Sequence, residues 1–522
     1  MYHIYLRSFQ DTDGDGVGDL PGVLRRLDYL TDLGVEAIWL SPFYPSPQRD
    51  FGYDVADYCD VDPTFGTLAG FDRLLSEAHT RGLRVILDLV ANHTSSEHPW
   101  FVESRASRTN PKRDWYVWRD PGPDGGPPNN WLSFFGGPAW TLDPQTGQYY
   151  LHHFLPEQPD LNYRHPEVLE AMLEVMRFWL ERGVDGFRVD SVARLVEDAL
   201  FRDEPPNPTW RPGMRERDRL LHIYTDHQPE THEVLRHFRA LLDRYSEPGR
   251  ERVLIGEVYA PFEILMSYYG SPEAPECHFP FNFALVELPS EQWTADRLRA
   301  LVDAYESALP DWAWPSWVLG NHDRPRVASR LGEERTRLAH FLLLTLRGTP
   351  TLYYGDELGT HDLEVPPDQV RDLPGLREHG GRWSRDAARA PMPWDDSPGA
   401  GFTTGTPWLS LPPDFRTRNV AAQRQDPRSI LHLVRHLLHV RRESAALTLG
   451  AYRSIPAPAG IYVYERPADS DRLLVALNFT DRTQTLDASG QVLLSTHLDR
   501  CGPERAPLLL RPYEGILLRP AG

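Results

Sequence analysis

Apolar residues along the first half of the chain alternate between two patterns, one typical of an amphipathic helix and one typical of a buried strand. Leucines recur every three residues ahead of Gly34, and residues 35–40 then form a mostly apolar run. Such spacing is close to the helical period, a glycine often follows the last helical residue, and a short apolar run is typical of a strand covered on both faces. The same order recurs ahead of residues 83–89 and 184–190. Alternating helices and buried strands predict a parallel sheet covered by helices.

Further apolar runs of strand length bring the number of predicted strands to eight. They span residues 2–9, 35–40, 83–89, 184–190, 252–258, 279–285, 316–320 and 350–354. Eight parallel strands with intervening helices over about 250 residues or more predict an α/β fold of the (β/α)8 TIM-barrel class.

Two stretches depart from this alternation and predict additional domains. Residues 94–165 follow the third strand, are rich in Trp, Pro, Gly and Asn, and are too long for an ordinary loop, so they predict an inserted subdomain B. From Tyr452 onward, short alternating segments predict a C-terminal antiparallel β-sandwich domain, with its boundaries placed at 445–522. The barrel then comprises residues 1–93 and 166–444.

Composition limits the partners of the chain. Its 522 residues include 55 Lys and Arg against 75 Asp and Glu, a net charge of −20. So acidic a chain is a poor match for nucleic acid or an anionic membrane surface, and no apolar run approaches the roughly 18 residues of a membrane span. The N-terminus lacks the pattern of a secretory signal, and three widely spaced cysteines fit reduced thiols better than a disulfide framework. We therefore expect a cytoplasmic protein with no nucleic-acid or membrane partner.

A single lysine, Lys112, narrows the chemistry further. Walker-type ATPases, kinases and enzymes that use pyridoxal phosphate each need a lysine in a defined motif, and Lys112 lies in a polar turn without one. No G-x-G-x-x-G pattern follows a predicted strand, so a Rossmann cofactor site is not expected either.

Polar residues follow the ends of four predicted strands, where barrel enzymes hold their catalytic groups. These residues are Asp88, Asn92, His93, Arg188, Asp190, Glu257, Asn321, His322 and Asp323. Any one of them is equally well explained as a helix cap, but together they would form a costly cluster of like charges unless function requires it. Carboxylates without a reactive lysine or thiol fit glycoside cleavage, in which one carboxylate attacks and one carboxylic acid protonates the leaving oxygen. Arg188 and Asp190 share one strand face, so the arginine would keep that aspartate ionised.

The order and spacing of these segments resemble a known family. Residues 88–93, 186–190, 255–257 and 321–323 resemble the four ordered regions of the α-amylase family, glycoside hydrolase family 13. Residues 158–162 resemble the fifth region of its oligo-1,6-glucosidase/α-glucosidase branch. The resemblance implies that Asp190 is the nucleophile, that Glu257 is the general acid and then the base, and that Asp323 binds sugar hydroxyls and distorts the ring.

The resemblance also implies a pocket around a terminal glucose. The nucleophile and the sugar hydroxyls would be held by Arg188, His93 and His322. Tyr53 would stack under the sugar ring, and Phe154 would form an aromatic wall. Asp50 would pair with Arg389 to close the glucose end of the pocket. For Tyr53 and Phe154, plain core packing is the alternative explanation.

A second cluster of acids lies near the N-terminus. Every second residue of the stretch 11–19 is an aspartate except one, which is a valine: Asp11, Asp13, Asp15, Val17 and Asp19. This spacing matches the first part of an EF-hand calcium loop, although Gly22 replaces the final glutamate. The carboxylates would repel one another without a cation, and the alternative is a solvated Asp/Gly turn. In the branch that the chain resembles, this loop is a structural Ca²⁺ site, with Mg²⁺ as the other candidate and the Val17 carbonyl as one ligand.

The expected function is therefore that of a retaining, exo-acting α-glucosidase that acts on short oligosaccharides such as maltose, and on sucrose, as a monomer or homo-oligomer. Ser191 follows the nucleophile, and its small side chain favours α-1,4 over α-1,6 linkages, because in this branch a valine there accompanies α-1,6 cleavage. Three alternatives stay open at this point: an oligo-1,6-glucosidase, an endo-acting amylase, and a non-catalytic glucosidase-like subunit.

Three other features predict structure rather than chemistry. The pair His152 and His153 is predicted at the subdomain surface, residues 215–219 read as a solvated run of mixed charge, and the tryptophans of 115–118 and 131–140 are predicted to pack the subdomain.

Overall fold

Eight parallel strands form the central sheet of the computed structural model, which describes residues 1–377, 382–468 and 471–521. The strands are β1 (Tyr2–Ile4), β2 (Ala37–Leu40), β3 (Arg84–Leu89), β4 (Gly186–Val189), β5 (Val253–Gly256), β6 (Phe279–Pro280), β7 (Ser316–Val318) and β8 (Thr349–Tyr353). Their order is β6-β5-β4-β3-β2-β1-β8-β7, and every hydrogen-bonded pair is parallel. The order is that of a (β/α)8 barrel, so the predicted fold class is confirmed.

Helices connect the strands and cover the sheet. Their bounds are Leu20–Arg25, Leu27–Leu33, Leu68–Thr80, Pro166–Arg182, Pro229–Tyr245, Phe262–Leu265, Ala284–Glu287, Ala295–Ala308, Val327–Leu331, Glu333–Thr345, Leu373–Arg377, Val420–Gln425 and Ile430–Glu443. Gly34 and Gly183 end their helices in the left-handed conformation, with φ of 95° and 103°, and each N–H donates back to the last turn. This is the glycine C-cap that the sequence pattern predicts.

Seven of the eight strands are shorter than their predicted apolar runs, and β1 and β6 are shortened most. After β1 the chain turns into a 3-10 helix over Leu6–Ser8, where the Leu6 N–H donates to the hydroxyl of Ser41 instead of extending the ladder. The run predicted over 279–285 contains only the two residues of β6, because the Asn282 side chain accepts from the Ala284 N–H and the chain enters a helix at Ala284. Within the described ranges, β6 and β7 share no ladder of hydrogen bonds.

Residues 94–165 contain a helix over Pro99–Ala106 and a three-stranded antiparallel sheet. Its strands are Trp118–Arg119, Trp140–Asp143 and Gln148–Leu151. Trp131 and Trp140 are buried against Leu151 in a core of their own. The tryptophans therefore pack the insertion, as predicted.

After the helix Ala445–Thr448, the chain forms an antiparallel β domain. Its strands are β9 (Arg453–Ile455), β10 (Ile461–Pro467), β11 (Arg472–Asn478), β12 (Gln484–Leu486), β13 (Gly490–Ser495), β14 (Gly502–Glu504), β15 (Leu508–Leu510) and β16 (Gly515–Pro520). A six-stranded sheet in the order β9-β10-β11-β16-β13-β14 packs its apolar face on the β12–β15 pair. Among the helices of the described ranges, none combines the length and apolar character needed to cross a bilayer.

Candidate active site

The carboxyl ends of the barrel strands open into a pocket of about 580 Å³. Asp190 follows β4 directly, Glu257 follows β5 directly, and Asp323 lies in the loop after β7. The backbone N–H of Glu257 donates to the Val189 carbonyl at 3.0 Å, so the sheet register places the first two acids side by side. Asp190 and Glu257 are buried, Asp323 is half-buried, and all three line the pocket. The strand ends converge as the sequence predicts.

Arg188 lies beneath these acids and contacts three carboxylates. Its Nη1 is 2.6 Å from Asp88 Oδ1 and 2.8 Å from Asp190 Oδ1, and its Nη2 is 2.6 Å from Glu257 Oε2. Asp88 is also held by the Tyr53 hydroxyl at 3.0 Å. One fully buried guanidinium thus fixes Asp190 and Glu257 relative to each other.

Burial raises the pKa of both acids, and the arginine opposes this only in part. The pKa of Asp190 rises to about 6, because burial and the charges of Asp88 and Asp323 outweigh the attraction of Arg188. The pKa of Glu257 rises to about 7, from burial and from the charges of Asp190 and Asp323. Between these two values Asp190 is mostly ionised and Glu257 mostly protonated, as a nucleophile and an acid require.

Asp323 differs from the other two acids in its charge environment. Burial would raise the pKa of Asp323, but contact with His322 and the charges of Arg385 and Arg389 hold that pKa well below its usual range. Arg389 Nη2 is 3.0 Å and Arg385 Nη1 is 3.3 Å from Asp323 Oδ1. Asp323 is therefore ionised throughout the neutral range and is poorly suited to donate a proton.

The end of the pocket that Asp50 lines is built differently from the prediction. Asp50 Oδ1 is bound by Arg385 at 2.6 Å, and its Oδ2 accepts from Gln158 at 3.1 Å. The predicted partner, Arg389, is instead directed toward Asp323 and donates through Nε to the His322 carbonyl at 2.9 Å. Both arginines lie in or beside the 3-10 helix Asp386–Arg389, and the first one, not the second, reaches Asp50. The assignment of Arg389 to this pair was wrong.

Rings surround the space above the acids. The rings of Tyr53 and His322 are parallel, with centroids 5.3 Å apart. His93 lies 3.0 Å through Nε2 from the Tyr53 carbonyl, and the Phe154 ring centroid is 5.1 Å from that of His93. Burial lowers the pKa of His93, and it lowers that of His322 to about 3, so both rings are neutral. Tyr53 and Phe154 line the pocket, which makes them more than core residues.

Ser191 lies on the pocket wall next to Asp190. Its backbone N–H donates to Glu257 Oε2 at 3.0 Å, and its φ of 46° is left-handed. The hydroxyl makes no capping bond to the short helix that follows. A capping role therefore does not account for Ser191.

Sequence reasoning missed part of the outer wall of the pocket. Arg217 is buried and, with Asp218, lines the pocket, so residues 215–219 are not the solvated run that was predicted. Phe134 and Trp383 also line this wall. His152 and His153 are buried rather than exposed, and His153 contacts the carboxylate of Asp160, in the fifth region, through Nδ1. These positions depend on how the long loop after β4 packs on the insertion. Local sequence patterns do not predict such a contact.

The acidic loop near the N-terminus brings three of its four aspartates together. Oxygens of Asp11, Asp13 and Asp15 lie within 4.8 Å of one another. Asp19 stands apart from this group in the described residues, since it caps the helix Leu20–Arg25 through the Gly22 N–H at 2.6 Å. Asp11 also accepts hydrogen bonds from the Gly14 and Gly16 N–H groups at 2.8 and 2.9 Å.

Comparisons with known proteins agree with this geometry. Residues 3–450 match the model of the alpha-amylase catalytic domain. A probable alpha-glucosidase of Rhizobium meliloti is 42% identical over 498 residues, 93% of this chain and 89% of that protein. An oligo-1,6-glucosidase of Heyndrickxia coagulans is 37% identical, over 99% of this chain and 98% of that protein. The crystal structure of the alpha-glucosyl transfer enzyme XgtA superposes with a TM-score of 0.90 at 39% identity, covering 99% of this chain and 98% of that chain.

The family model spans the barrel and the insertion and includes every acid described above. The chain belongs to the alpha-amylase family, glycoside hydrolase family 13.

Proposed function

We propose that this enzyme is a retaining, exo-acting α-glucosidase that releases terminal glucose from short α-glucosides. One observation carries the proposal: a single guanidinium, Arg188, binds Asp190 and Glu257 through its two terminal nitrogens at the floor of a pocket that Asp50 and Arg385 close at one end. Carboxylates held this close fit the short separation of retaining enzymes, about 5–5.5 Å, and leave little room for the water that inversion needs.

In the proposed reaction, Asp190 attacks the anomeric carbon while Glu257 gives its proton to the departing oxygen. The bond from that carbon to the glycosidic oxygen breaks, and a glucosyl ester of Asp190 forms. Glu257, now ionised, then takes a proton from water, which attacks the ester and frees Asp190. Asp323, ionised by its basic neighbours, would accept hydrogen bonds from the sugar hydroxyls.

The ion pair of Asp50 with Arg385 supports exo action. It closes the pocket beside Tyr53 and His93, so a chain cannot extend beyond the terminal glucose in that direction. An endo-acting amylase needs a cleft that is open at both ends. The outer wall, with Phe134 and Trp383, would then receive the leaving group.

We propose a preference for α-1,4 linkages on the basis of Ser191. Its small side chain lines the pocket beside Asp190 and has no capping role, so it leaves space for a ring attached at C4. A branched apolar wall there would crowd this ring more than one held off by the extra methylene of an α-1,6 linkage. Relatives named alpha-glucosidase and oligo-1,6-glucosidase are about equally similar, so isomaltose cleavage is the second candidate.

We also propose that the acidic loop binds one divalent cation, Ca²⁺ or Mg²⁺, in a structural role. Three carboxylates with oxygens within 4.8 Å of one another are a set of hard oxygen donors that such cations prefer. Asp11, Asp13 and Asp15 would hold the ion with the Val17 carbonyl, and Asp19 would join only if its carboxylate turned from Gly22. The ion would neutralise the loop and stabilise the folded state by mass action.

The three cysteines, Cys59, Cys277 and Cys501, are free in the structure, which supports a reducing compartment and hence our proposal of a cytoplasmic location.

Initial rates on maltose, isomaltose, sucrose and p-nitrophenyl α-glucoside test the proposed function. We expect glucose from maltose at the highest kcat/KM and no turnover by the Asp190→Asn variant. A wild-type enzyme that binds these sugars without releasing glucose would support a binding subunit instead. Release of internal fragments from a long α-glucan, without free glucose, would support an endo-acting amylase.

A further inference from the structure

The turn that carries Asp50 and Tyr53 contains an aromatic residue in a strained backbone conformation. Phe51 has a φ of 48°, in the left-handed region that suits glycine or asparagine and disfavours a bulky side chain. The next residue, Gly52, has a φ of 103°, and a Cβ there would lie 2.9 Å from the Pro42 carbonyl oxygen. Backbone strain of this kind persists only where the surrounding structure enforces it.

Three groups pack around the Phe51 ring. The Trp408 ring meets it edge to face, with centroids 5.2 Å apart. The guanidinium groups of Arg7 and Arg389 lie 5.3 and 5.7 Å from its centroid. Arg7 also lies 5.3 Å from the Trp408 ring, so the same cation contacts both rings.

Trp408 is itself held in place by hydrogen bonds. Its indole N–H donates to the Ser8 hydroxyl at 2.9 Å, which donates to the Arg389 carbonyl at 2.7 Å. Its backbone N–H donates to the Gly16 carbonyl at 3.0 Å. Trp408 is buried, and the described lining of the active-site pocket includes neither Trp408 nor Phe51.

The residues on either side of Phe51 do reach the pocket. Asp50 binds Arg385 and Gln158, and Tyr53 donates to Asp88 at 3.0 Å while its ring is parallel to that of His322. A return of Phe51 to negative φ would rotate the adjoining peptide units and move both side chains. The conformation at residue 51 is therefore coupled to the shape of the glucose end.

We propose that Trp408 is a positioning residue for glucose binding, because its contact holds Phe51 in the left-handed conformation and so keeps Asp50 and Tyr53 in place. This inference rests on the proposed function, since it assumes that terminal glucose binds at the closed end. Loss of the contact lowers the fraction of molecules with a competent pocket, and the apparent affinity falls by that fraction.

Steady-state kinetics of Trp408→Leu on maltose test the proposal. We expect KM to rise about tenfold with a much smaller change in kcat, because the lost contact affects ground state and transition state alike. The diagnostic variant is the double substitution Trp408→Leu with Phe51→Gly. Glycine adopts the left-handed conformation at no steric cost, so the double variant is expected to recover most of the lost affinity. A structural defect alone would not be repaired by a second substitution.

Controls separate positioning from general destabilisation. Trp293→Leu removes another buried indole, whose N–H donates to the Leu288 carbonyl, and is expected to leave KM unchanged. If Trp408→Leu does not fold, as judged by circular dichroism, Ser8→Ala removes the partner of the Trp408 indole and must raise KM in the same way, again with recovery by Phe51→Gly.

Two results would overturn the proposal: an unchanged KM, or a double variant no better than the single one. Both are distinct from failure of the proposed function, which would appear as absence of maltose turnover in the unmodified enzyme.

Discussion

Arg188 contacts Asp88, Asp190 and Glu257, and through them it sets the charges on which the proposed reaction depends. Without that guanidinium, burial would raise the pKa of Asp190 further and leave it protonated at neutral pH. Glu257 starts from the higher ordinary value, 4.5 against 3.8 for Asp190, and burial raises the pKa of both, to about 7 and about 6. The different protonation of the two carboxyl groups thus comes from their intrinsic acidity together with their surroundings.

The pKa values predict the pH profile. The free enzyme needs Asp190 ionised, so kcat/KM should fall below about pH 6, and it needs Glu257 protonated, so kcat/KM should fall above about pH 7. We expect a bell-shaped curve with its maximum between these values. On a substrate with an activated phenol as leaving group, Glu257→Gln should lose the basic limb. Persistence of that limb in the variant would assign it to another group.

Glu257→Gln should also reveal the cost of burying this acid. We expect kcat on maltose to fall by about 10²–10⁴, the usual contribution of a general acid. Because the folded-state pKa is raised from 4.5 to about 7, the carboxyl destabilises the fold as pH rises through that range. The neutral variant should therefore be more stable than the parent at pH 8, on the order of 1 kcal/mol, and similar at pH 5. Equal melting-temperature shifts at both pH values would contradict the raised pKa.

Ser191 provides a test of linkage preference. Ser191→Val should raise the ratio of kcat/KM for isomaltose over maltose, by a factor that corresponds to about 1–3 kcal/mol. The left-handed φ of 46° strains a branched side chain, but this cost reduces both rates and cancels in the ratio. Ser191→Ala, which removes only the hydroxyl, is the matched control and should leave the ratio unchanged. A preference for isomaltose in the unmodified enzyme would contradict the proposal.

The error over Arg389 shows the limit of residue-level prediction. Two arginines four residues apart, Arg385 and Arg389, both reach Asp323 from the same short helix. Sequence spacing places them together but does not say which one extends to Asp50. That choice depends on where Asp372 and the Asp50 turn lie in space, and Arg385 binds both.

At the level of elements, the acidic loop carries a prediction about stability. If a cation binds Asp11, Asp13 and Asp15, chelation should lower the melting temperature clearly while the initial rate, measured below that temperature, changes little. Asp13→Asn should reduce the effect of added Ca²⁺ on melting. Asp124→Asn alters another exposed Asp/Gly turn, in which Asp124 accepts from the Gly126 N–H, and should leave the effect intact. Rapid reversible loss of activity without a change in melting would argue for a catalytic ion instead.

Apolar patterns along the chain predicted the strands and helices whose positions are determined by burial alone. Residues 84–89, for example, form a strand that is buried on both faces, and the apolar run in the sequence indicates this burial. β1 and β6 are shorter than their apolar runs because backbone N–H groups donate to the side chains of Ser41 and Asn282 instead of continuing the ladder. The outer pocket wall was not predicted for a related reason. In the sequence Arg217 resembles a solvated charge, and only the folded loop buries it and places its guanidinium against the Phe134 ring.

For the whole molecule, order and spacing were more informative than any single motif. The barrel order, the position of the insertion after β3 and the antiparallel C-terminal sheet all follow from the order in which helical and strand patterns occur along the chain. The shape of the pocket does not, because it combines strand ends with the insertion, the loop after β4 and the segment around Arg385. The carboxylates at the strand ends were therefore more predictable than the walls of the pocket.

In the proposed function, Asp190 and Glu257 catalyse a double displacement that releases glucose with retention. ¹H NMR of p-nitrophenyl α-glucoside hydrolysis, recorded before mutarotation, tests this retention, because one glucose is then released per turnover and its anomeric proton reports the stereochemical outcome. Retention predicts that this glucose appears first as the α-anomer. Initial release of the β-anomer would contradict it, because a single displacement would then require Glu257 and Asp190 to act on water rather than through a glucosyl ester.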